Sequence, residues 1–189
     1  MHAMLRMAFR LGADLDAAYL QVNNRLAETL ADDRFITAFI GLLDPATHRL
    51  RFHSGGQGPI FHFRAATLAC DRYKPTSFPL GAMPLAKTRA PVELELAPGD
   101  ILVLLSDGFY EHADTAGEQF GEARVEALLR EHHDEPAAGL LARLEREVQA
   151  FAKGAPQEDD MTAVLVQRRA SPAGMSRAFA RSFYSIAPM

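Results

Sequence analysis

The pattern that decides the fold lies in residues 96–112, LAPGDILVLLSDGFYEH. Pro98 and Gly99 fit the two central positions of a type II turn, because proline fixes a negative φ and glycine tolerates a positive one. The aliphatic run Ile101–Leu105 that follows has the length and composition of a buried strand. Nothing in a buried strand requires the aspartate that comes next, so Asp107 is either part of a turn or a ligand for a cation.

Upstream of this stretch, the sequence predicts one helix and a series of antiparallel strands. Apolar residues recur at helical spacing from Asp14, a candidate N-cap, to about Asp33. Alternating and apolar runs then predict two hairpins, one from residues 35–43 and 50–53 and one from residues 60–63 and 68–73. We expect a third hairpin, in which residues 92–96 pair with residues 101–105 across the Pro98-Gly99 turn.

Downstream, the sequence predicts two helices and a last strand. Helical spacing marks a short helix around Val125 and a longer one from about Pro136 to Gly154, and residues 162–166 form the strand. Hairpins with helices before and after them favour an α+β architecture over a doubly wound parallel sheet. The composition changes after Arg169, so residues 170–189 are predicted to be a poorly ordered tail, with a partner-binding segment as the alternative.

Composition and charge exclude several classes of function. The chain has 189 residues, of which 48% are hydrophobic and 23% charged, as in a single globular domain. A net charge of -4 without a run of lysine or arginine gives no reason to expect nucleic acid as a partner. A single cysteine, no secretory signal and no apolar run of membrane-spanning length together predict a cytoplasmic protein that is not inserted in a membrane.

Carboxylates flank the two strands that are expected to carry chemistry. Asp107 follows the strand 101–105, whereas Asp159 and Asp160 precede the last strand, so these carboxylates meet at one sheet edge if the two strands are antiparallel neighbours. Crowded carboxylates repel unless one is protonated or a cation lies between them, and oxygen ligands suit Mg²⁺ or Mn²⁺. Turn chemistry explains the same residues without a metal, so both interpretations stay open on spacing alone.

Six short motifs occur in an order that resembles a known protein family. They are Phe35-Ile36-Thr37, Gly55-Gly56-Gln57-Gly58-Pro59, Pro79-Leu80-Gly81, the segment from Pro98-Gly99-Asp100 to Ser106-Asp107-Gly108, Gly117-Glu118-Gln119-Phe120-Gly121, and Asp159-Asp160-Met161-Thr162. They resemble motifs of the metal-dependent PPM serine/threonine phosphatases, in the branch of SpoIIE-like and RsbU-like bacterial regulators. The resemblance covers roughly residues 14–167, and it assigns residues 1–169 to the phosphatase domain.

The resemblance implies both a fold and an activity. The fold would be an antiparallel β-sandwich flanked by helices on both faces, with two Mn²⁺ or Mg²⁺ ions at one edge. The activity would be hydrolysis of phosphoserine or phosphothreonine in a protein substrate, for which an anti-sigma-factor antagonist is the candidate. Asp107 and Asp159 match the metal ligands of the family. The residues implied to lie close to the metals are Gly108, Glu111, Asp160 and Gln57.

Two departures from the family pattern leave alternatives open. Family members begin with a strand whose aspartate, before a Gly-His-Gly turn, bridges both metals, and the first strands have no counterpart in this sequence. Gln57 also stands where the family often has histidine, and glutamine does not titrate near neutral pH.

The chain is therefore expected to be either an N-terminally incomplete phosphatase domain with weak or no activity, or a degenerate module that binds a phosphoprotein or other partner without turnover. An unrelated α+β domain is the third alternative. Missing strands would expose a sheet edge and apolar faces, so the chain is expected to form a homodimer or to aggregate unless another element covers them.

Overall fold

The computed structural model describes residues 1–31 and 33–169, within which the chain forms five helices and seven strands. The helices are α1 (His2–Arg10), α2 (Leu15–Thr29), α3 (Asp107–Tyr110), α4 (Glu122–His132) and α5 (Ala137–Ala152). The strands are β1 (Ala38–Leu43), β2 (Arg49–Gly55), β3 (Ile60–Arg64), β4 (Ala69–Tyr73), β5 (Val92–Glu95), β6 (Ile101–Leu105) and β7 (Ala163–Gln167). None of the helices in these ranges combines the length and apolarity needed to cross a bilayer. The tail predicted at residues 170–189 lies outside the described residues.

The first of two compact units contains Met1–Gly58 and Lys74–Glu95. Its sheet has the antiparallel order β1-β2-β5, and α2 packs against β1 and β2. The predicted N-cap is confirmed, because the Asp14 carboxylate accepts a hydrogen bond from the Ala17 amide at 2.8 Å. The core joins residues at helical spacing in α2 to β1 and to the loop between β4 and β5, namely Leu15, Tyr19, Val22, Leu26, Ala38, Ile40 and Leu80.

The second unit contains Pro59–Tyr73 and the chain from Leu96 onward. Its sheet has the order β4-β3-β6-β7, with all neighbours antiparallel. Alternate residues of β6 belong to a core that includes apolar side chains from α4 and α5, because side chains in a strand point to opposite faces in turn. The α+β class with antiparallel sheets is therefore confirmed in each unit.

The third predicted hairpin is wrong, although its turn is present. The Asp100 amide donates to the Ala97 carbonyl at 3.0 Å and Gly99 has a φ of 91°, as a type II turn requires. However, β5 pairs with β2, whereas β6 pairs with β3 and β7. The backbone groups of the turn are taken by the chain after β7, since Gly99 donates to the Arg168 carbonyl at 2.7 Å and Arg168 donates to Asp100 at 3.0 Å.

The two largest differences from the predicted element boundaries are at the end of α2 and the start of β1. The helix expected to reach about Asp33 ends at Thr29, because Leu30 has an extended backbone with ψ of 153°. The strand expected over residues 35–43 begins at Ala38, and the preceding Ile36 forms an isolated bridge with Leu80. Both differences fall at element ends, where side-chain periodicity carries little information.

Candidate metal centre

Strands β6 and β7 bring Asp107 and Asp159 to the same edge of one sheet. The two strands are antiparallel neighbours, with Leu105 opposite Ala163, which is the condition for the two aspartates to meet. Asp107 starts α3 directly after β6, and Asp159 lies in the segment that enters β7. The end of one strand therefore lies beside the approach to the other.

The Ser106 hydroxyl joins the two segments that carry these aspartates. It donates a hydrogen bond to the Asp160 carbonyl at 2.7 Å and accepts one from the Thr162 amide at 2.8 Å. The Ser106 amide also donates to the Thr162 carbonyl at 2.8 Å, which extends the pairing of the strands by one residue. Sequence reasoning assigned no role to Ser106, although the preference for serine or threonine at this motif position was a signal for it.

Gly108 allows the backbone of the second segment to approach closely. A Cβ atom at this position would lie 2.5 Å from the Asp160 carbonyl oxygen and 3.1 Å from the Asp159 carbonyl oxygen. Real Cβ atoms do not come so close to backbone, so any larger residue would push the two segments apart. The glycine of the Asp-Gly motif therefore leaves the space that the segment containing Asp159 and Asp160 occupies.

Asp107 and Asp159 line one cavity of 760 Å³, together with several other acidic residues. The acidic and histidine side chains around it are Asp107, Glu111, His112, Asp114, Glu158 and Asp159. Each candidate ligand accepts a hydrogen bond through Oδ1 from the next residue's amide, at 3.1 Å from Gly108 and 2.7 Å from Asp160. Within the described residues, the other carboxylate oxygen of each aspartate accepts no hydrogen bond and is available to a ligand.

The remaining predicted residues take different positions. Glu111 lines the cavity, whereas Asp160 does not and instead offers its backbone carbonyl to Ser106. Gln57 belongs to the first unit and is not part of the cavity lining, and its carbonyl accepts a hydrogen bond from the Ser54 hydroxyl.

Asp114 organises the loop beside the cavity, a role that the sequence did not reveal. Its buried carboxylate accepts hydrogen bonds from the amides of Ala116 at 2.9 Å and Glu118 at 3.1 Å, and it lies 3.3 Å from the Lys153 ammonium group. The hydrogen bond from the Ala116 amide is the main cause that lowers the pKa of Asp114 below its ordinary value of 3.8, and the Glu118 amide and Lys153 lower it further. Asp114 is therefore engaged in the loop and is not a free metal ligand.

The negative charge of the site also affects Tyr110. Burial raises the pKa of Tyr110 to about 12, and the charges of Asp107 and Glu111 add to the rise. A cavity of this charge attracts cations and repels anions.

The described residues do not complete a two-metal centre. Asp107 and Asp159 offer oxygen donors of the kind that Mg²⁺ and Mn²⁺ bind. Over residues 1–31 and 33–169, however, no three or more His, Cys, Asp or Glu side chains are grouped so that they could hold a metal ion. Two carboxylates are fewer ligands than a pair of divalent ions needs.

Comparison with known sequences and structures places the chain in a family. The sequence profile of the family described as stage II sporulation protein E (SpoIIE) matches residues 1–169. A comparison with curated protein sequences found no match to this chain.

Three solved structures share its fold at low sequence identity. The SiaA-PP2C domain of Pseudomonas aeruginosa has a TM-score of 0.73 and 21% identity over 87% of this chain and 66% of that one. The PP2C phosphatase domain of SpoIIE from Bacillus subtilis, with a fragment of its regulatory domain, has a TM-score of 0.71 and 21% identity. The match covers 88% of this chain and 48% of that one. A structure of RsbU and RsbW domains from Mycobacterium tuberculosis has a TM-score of 0.67 and 22% identity. The match covers 90% of this chain and 46% of that one. The chain thus spans 46% to 66% of these structures.

Proposed function

Because the chain belongs to the SpoIIE family, we propose that it is the phosphatase domain of a bacterial signalling regulator. Its substrate would be phosphoserine or phosphothreonine in a partner protein. An anti-sigma-factor antagonist is the proposed partner, because the resemblance of the sequence motifs to RsbU-like regulators implies that class of substrate.

One observation carries the proposal. Asp107 and Asp159 come from opposite ends of two neighbouring antiparallel strands, yet they line the same cavity. The Ser106 hydroxyl and the glycine at position 108 hold the two segments together. A pair of ordinary turns would not need this close backbone approach.

The charge of the cavity supports a requirement for a cation. A phosphate monoester carries about two negative charges near pH 7 and would be repelled by a cavity lined with carboxylates. We propose that Asp107 and Asp159 bind Mn²⁺ or Mg²⁺ and thereby make the cavity acceptable to phosphate. Since the described residues do not complete a two-metal centre, residues 1–189 alone should bind the ion weakly and hydrolyse the phosphorylated substrate slowly.

A manganese titration tests the proposal. Mn²⁺ binding is measured by calorimetry, and hydrolysis of a phosphoserine peptide is measured at each Mn²⁺ concentration. Asp107→Asn and Asp159→Asn should each weaken Mn²⁺ binding about tenfold or more, because each removes a charged ligand. Asp134→Asn, at an exposed position of the second unit, is the matched control and should change neither quantity. Phosphatase activity that is strong without Mn²⁺ and survives both ligand variants would contradict the proposal.

The alternative function is a module that binds a phosphoprotein without turnover. The lack of a three-ligand group among the described residues favours this alternative. An engineered form that carries the family's aspartate-bearing strand and Gly-His-Gly turn ahead of Met1 separates the two functions. Turnover that appears with Mn²⁺ in the extended form supports the phosphatase. An extended form that binds the phosphopeptide but does not hydrolyse it supports the binding module.

A further inference from the structure

A second cavity, of 340 Å³, lies within the first unit and has no role in the proposed phosphatase function. It is lined by α2, β2 and the loop between β4 and β5. Its size falls within the range of about 300–1,000 Å³ that is usual for small-molecule sites. Phe78, Met83 and Leu85 form part of an apolar wall.

Two buried polar side chains are part of the lining of this cavity. His53 is 1% exposed, and its Nε2 lies 2.5 Å from an oxygen of the Asp16 carboxylate. Since Nε2 is engaged with Asp16, Nδ1 is the ring nitrogen that remains for a ligand. The ring of Tyr19 lies beside it, with 4.7 Å between the ring centroids.

The Tyr19 hydroxyl is the strongest sign of a ligand site. Its oxygen is buried and has no hydrogen-bond partner among the described residues. Burial raises the pKa of Tyr19, and the nearby Ser77 side chain lowers it in part, although the two groups do not reach hydrogen-bond geometry. Burying a hydroxyl without a partner opposes folding, and a ligand that pairs with the hydroxyl would offset this cost.

Two cationic residues lie at the same cavity. Lys87 and Arg89 both line the cavity, and both residues are exposed to solvent. Within residues 1–31 and 33–169 neither forms an ion pair of 4.0 Å or less, and the Asp16 carboxylate is engaged with His53. The unpaired positive charge therefore favours an anionic ligand.

From these features we propose that this cavity binds a small organic anion with an apolar body. The anionic group, a carboxylate or a phosphonate, contacts Lys87 and Arg89. The Tyr19 hydroxyl and His53 Nδ1 form hydrogen bonds with its oxygens, and the apolar body packs against the wall that contains Phe78 and Met83. The site lies entirely within the first unit and is independent of Asp107 and Asp159.

Ligand titration of the full chain by NMR tests this proposal. The probes are hexanoate and phenylphosphonate, which are anionic and not substrates for phosphate hydrolysis, and hexanamide, which has the same apolar body as hexanoate but no charge. Both anions should bind saturably and shift the signals of His53 and Leu85. Hexanamide should bind about tenfold more weakly, because charge-assisted hydrogen bonds are roughly twice as strong as neutral ones.

Three variants locate the binding site. Lys87→Ala and Tyr19→Phe should each weaken hexanoate binding about tenfold, by loss of a charge-assisted or a direct hydrogen bond. The Tyr19→Phe chain should remain folded, with an equal or higher urea midpoint, because the variant removes an unpaired buried hydroxyl and keeps the ring. Arg34→Ala, at an exposed position outside the cavity, is the control for loss of one positive charge.

Specific results would overturn the proposal. Hexanamide binding as tight as hexanoate binding would show that the anionic group is not recognised. Binding that survives both Lys87→Ala and Tyr19→Phe, or shifts confined to Asp107 and His112, would place the ligand elsewhere. Absence of saturable binding for both anions, or tight binding only of a phosphoserine peptide at these residues, would reject a small-molecule site. None of these results depends on phosphatase activity.

Discussion

At the scale of single residues, Gly108 decides whether the two aspartate-bearing segments can meet. Gly108→Ala would place a Cβ atom 2.5 Å from a backbone oxygen, which cannot be relieved by rotating a side chain. We expect a loss of about 1–3 kcal/mol in the free energy of unfolding and weaker Mn²⁺ binding. Urea unfolding and calorimetry measure the two effects.

The matched control is the same substitution at a helical glycine. Gly139 lies in α5, where an added Cβ atom would come no closer than 3.3 Å, to the end of the Glu135 side chain. Gly139→Ala should be neutral or stabilise the chain by up to about 1 kcal/mol, because alanine is the better helix former. Equal effects of the two substitutions would contradict the role given to Gly108.

At the scale of elements, the junction between β6 and β7 depends on the Ser106 hydroxyl. Ser106→Ala would leave the Asp160 carbonyl and the Thr162 amide without this partner. The expected cost is about 1–3 kcal/mol of stability, with weaker Mn²⁺ binding because the segment before β7 is less well held. Ser106→Thr keeps the hydroxyl and should restore most of both quantities. If threonine behaves like alanine in urea unfolding and in Mn²⁺ calorimetry, the hydroxyl bridge is not what holds the junction.

At the scale of the whole molecule, exposed apolar side chains are concentrated in the first unit. Those that the structure describes there are Met1, Met7, Leu11, Phe35, Leu42, Leu43, Phe78 and Met83, whereas Leu68 is the one such residue in the described part of the second unit. Exposed apolar surface of this kind favours association. We therefore expect a concentration-dependent dimer, measured by sedimentation equilibrium.

Substitutions at exposed apolar positions in each unit distinguish this dimerisation from non-specific association. Met7→Gln with Leu11→Gln, in and just after α1, should weaken dimerisation about tenfold or more, since apolar area contributes roughly 25 cal/mol per Å² buried. Leu68→Gln, at the exposed position in the second unit, should leave it unchanged. A chain that stays monomeric at all concentrations would contradict the expectation.

The sequence by itself determined the features that depend on neighbouring residues. The cap at Asp14, the turn at Pro98-Gly99 and the buried strand 101–105 all follow from local chemistry and side-chain periodicity, and the structure has all three. The order of motifs also pointed to the family.

The tertiary structure alone decided which distant groups meet. A turn does not specify the partners of the strands beside it, so β5 pairs with β2 while the Pro98-Gly99 turn bonds to Arg168. The bridge from Ser106 to Asp160 and the cavity around Tyr19 likewise join residues far apart in the chain. Such contacts depend on which sheet edges and polar groups remain unpaired after folding, and that competition among remote segments leaves no local pattern in the sequence.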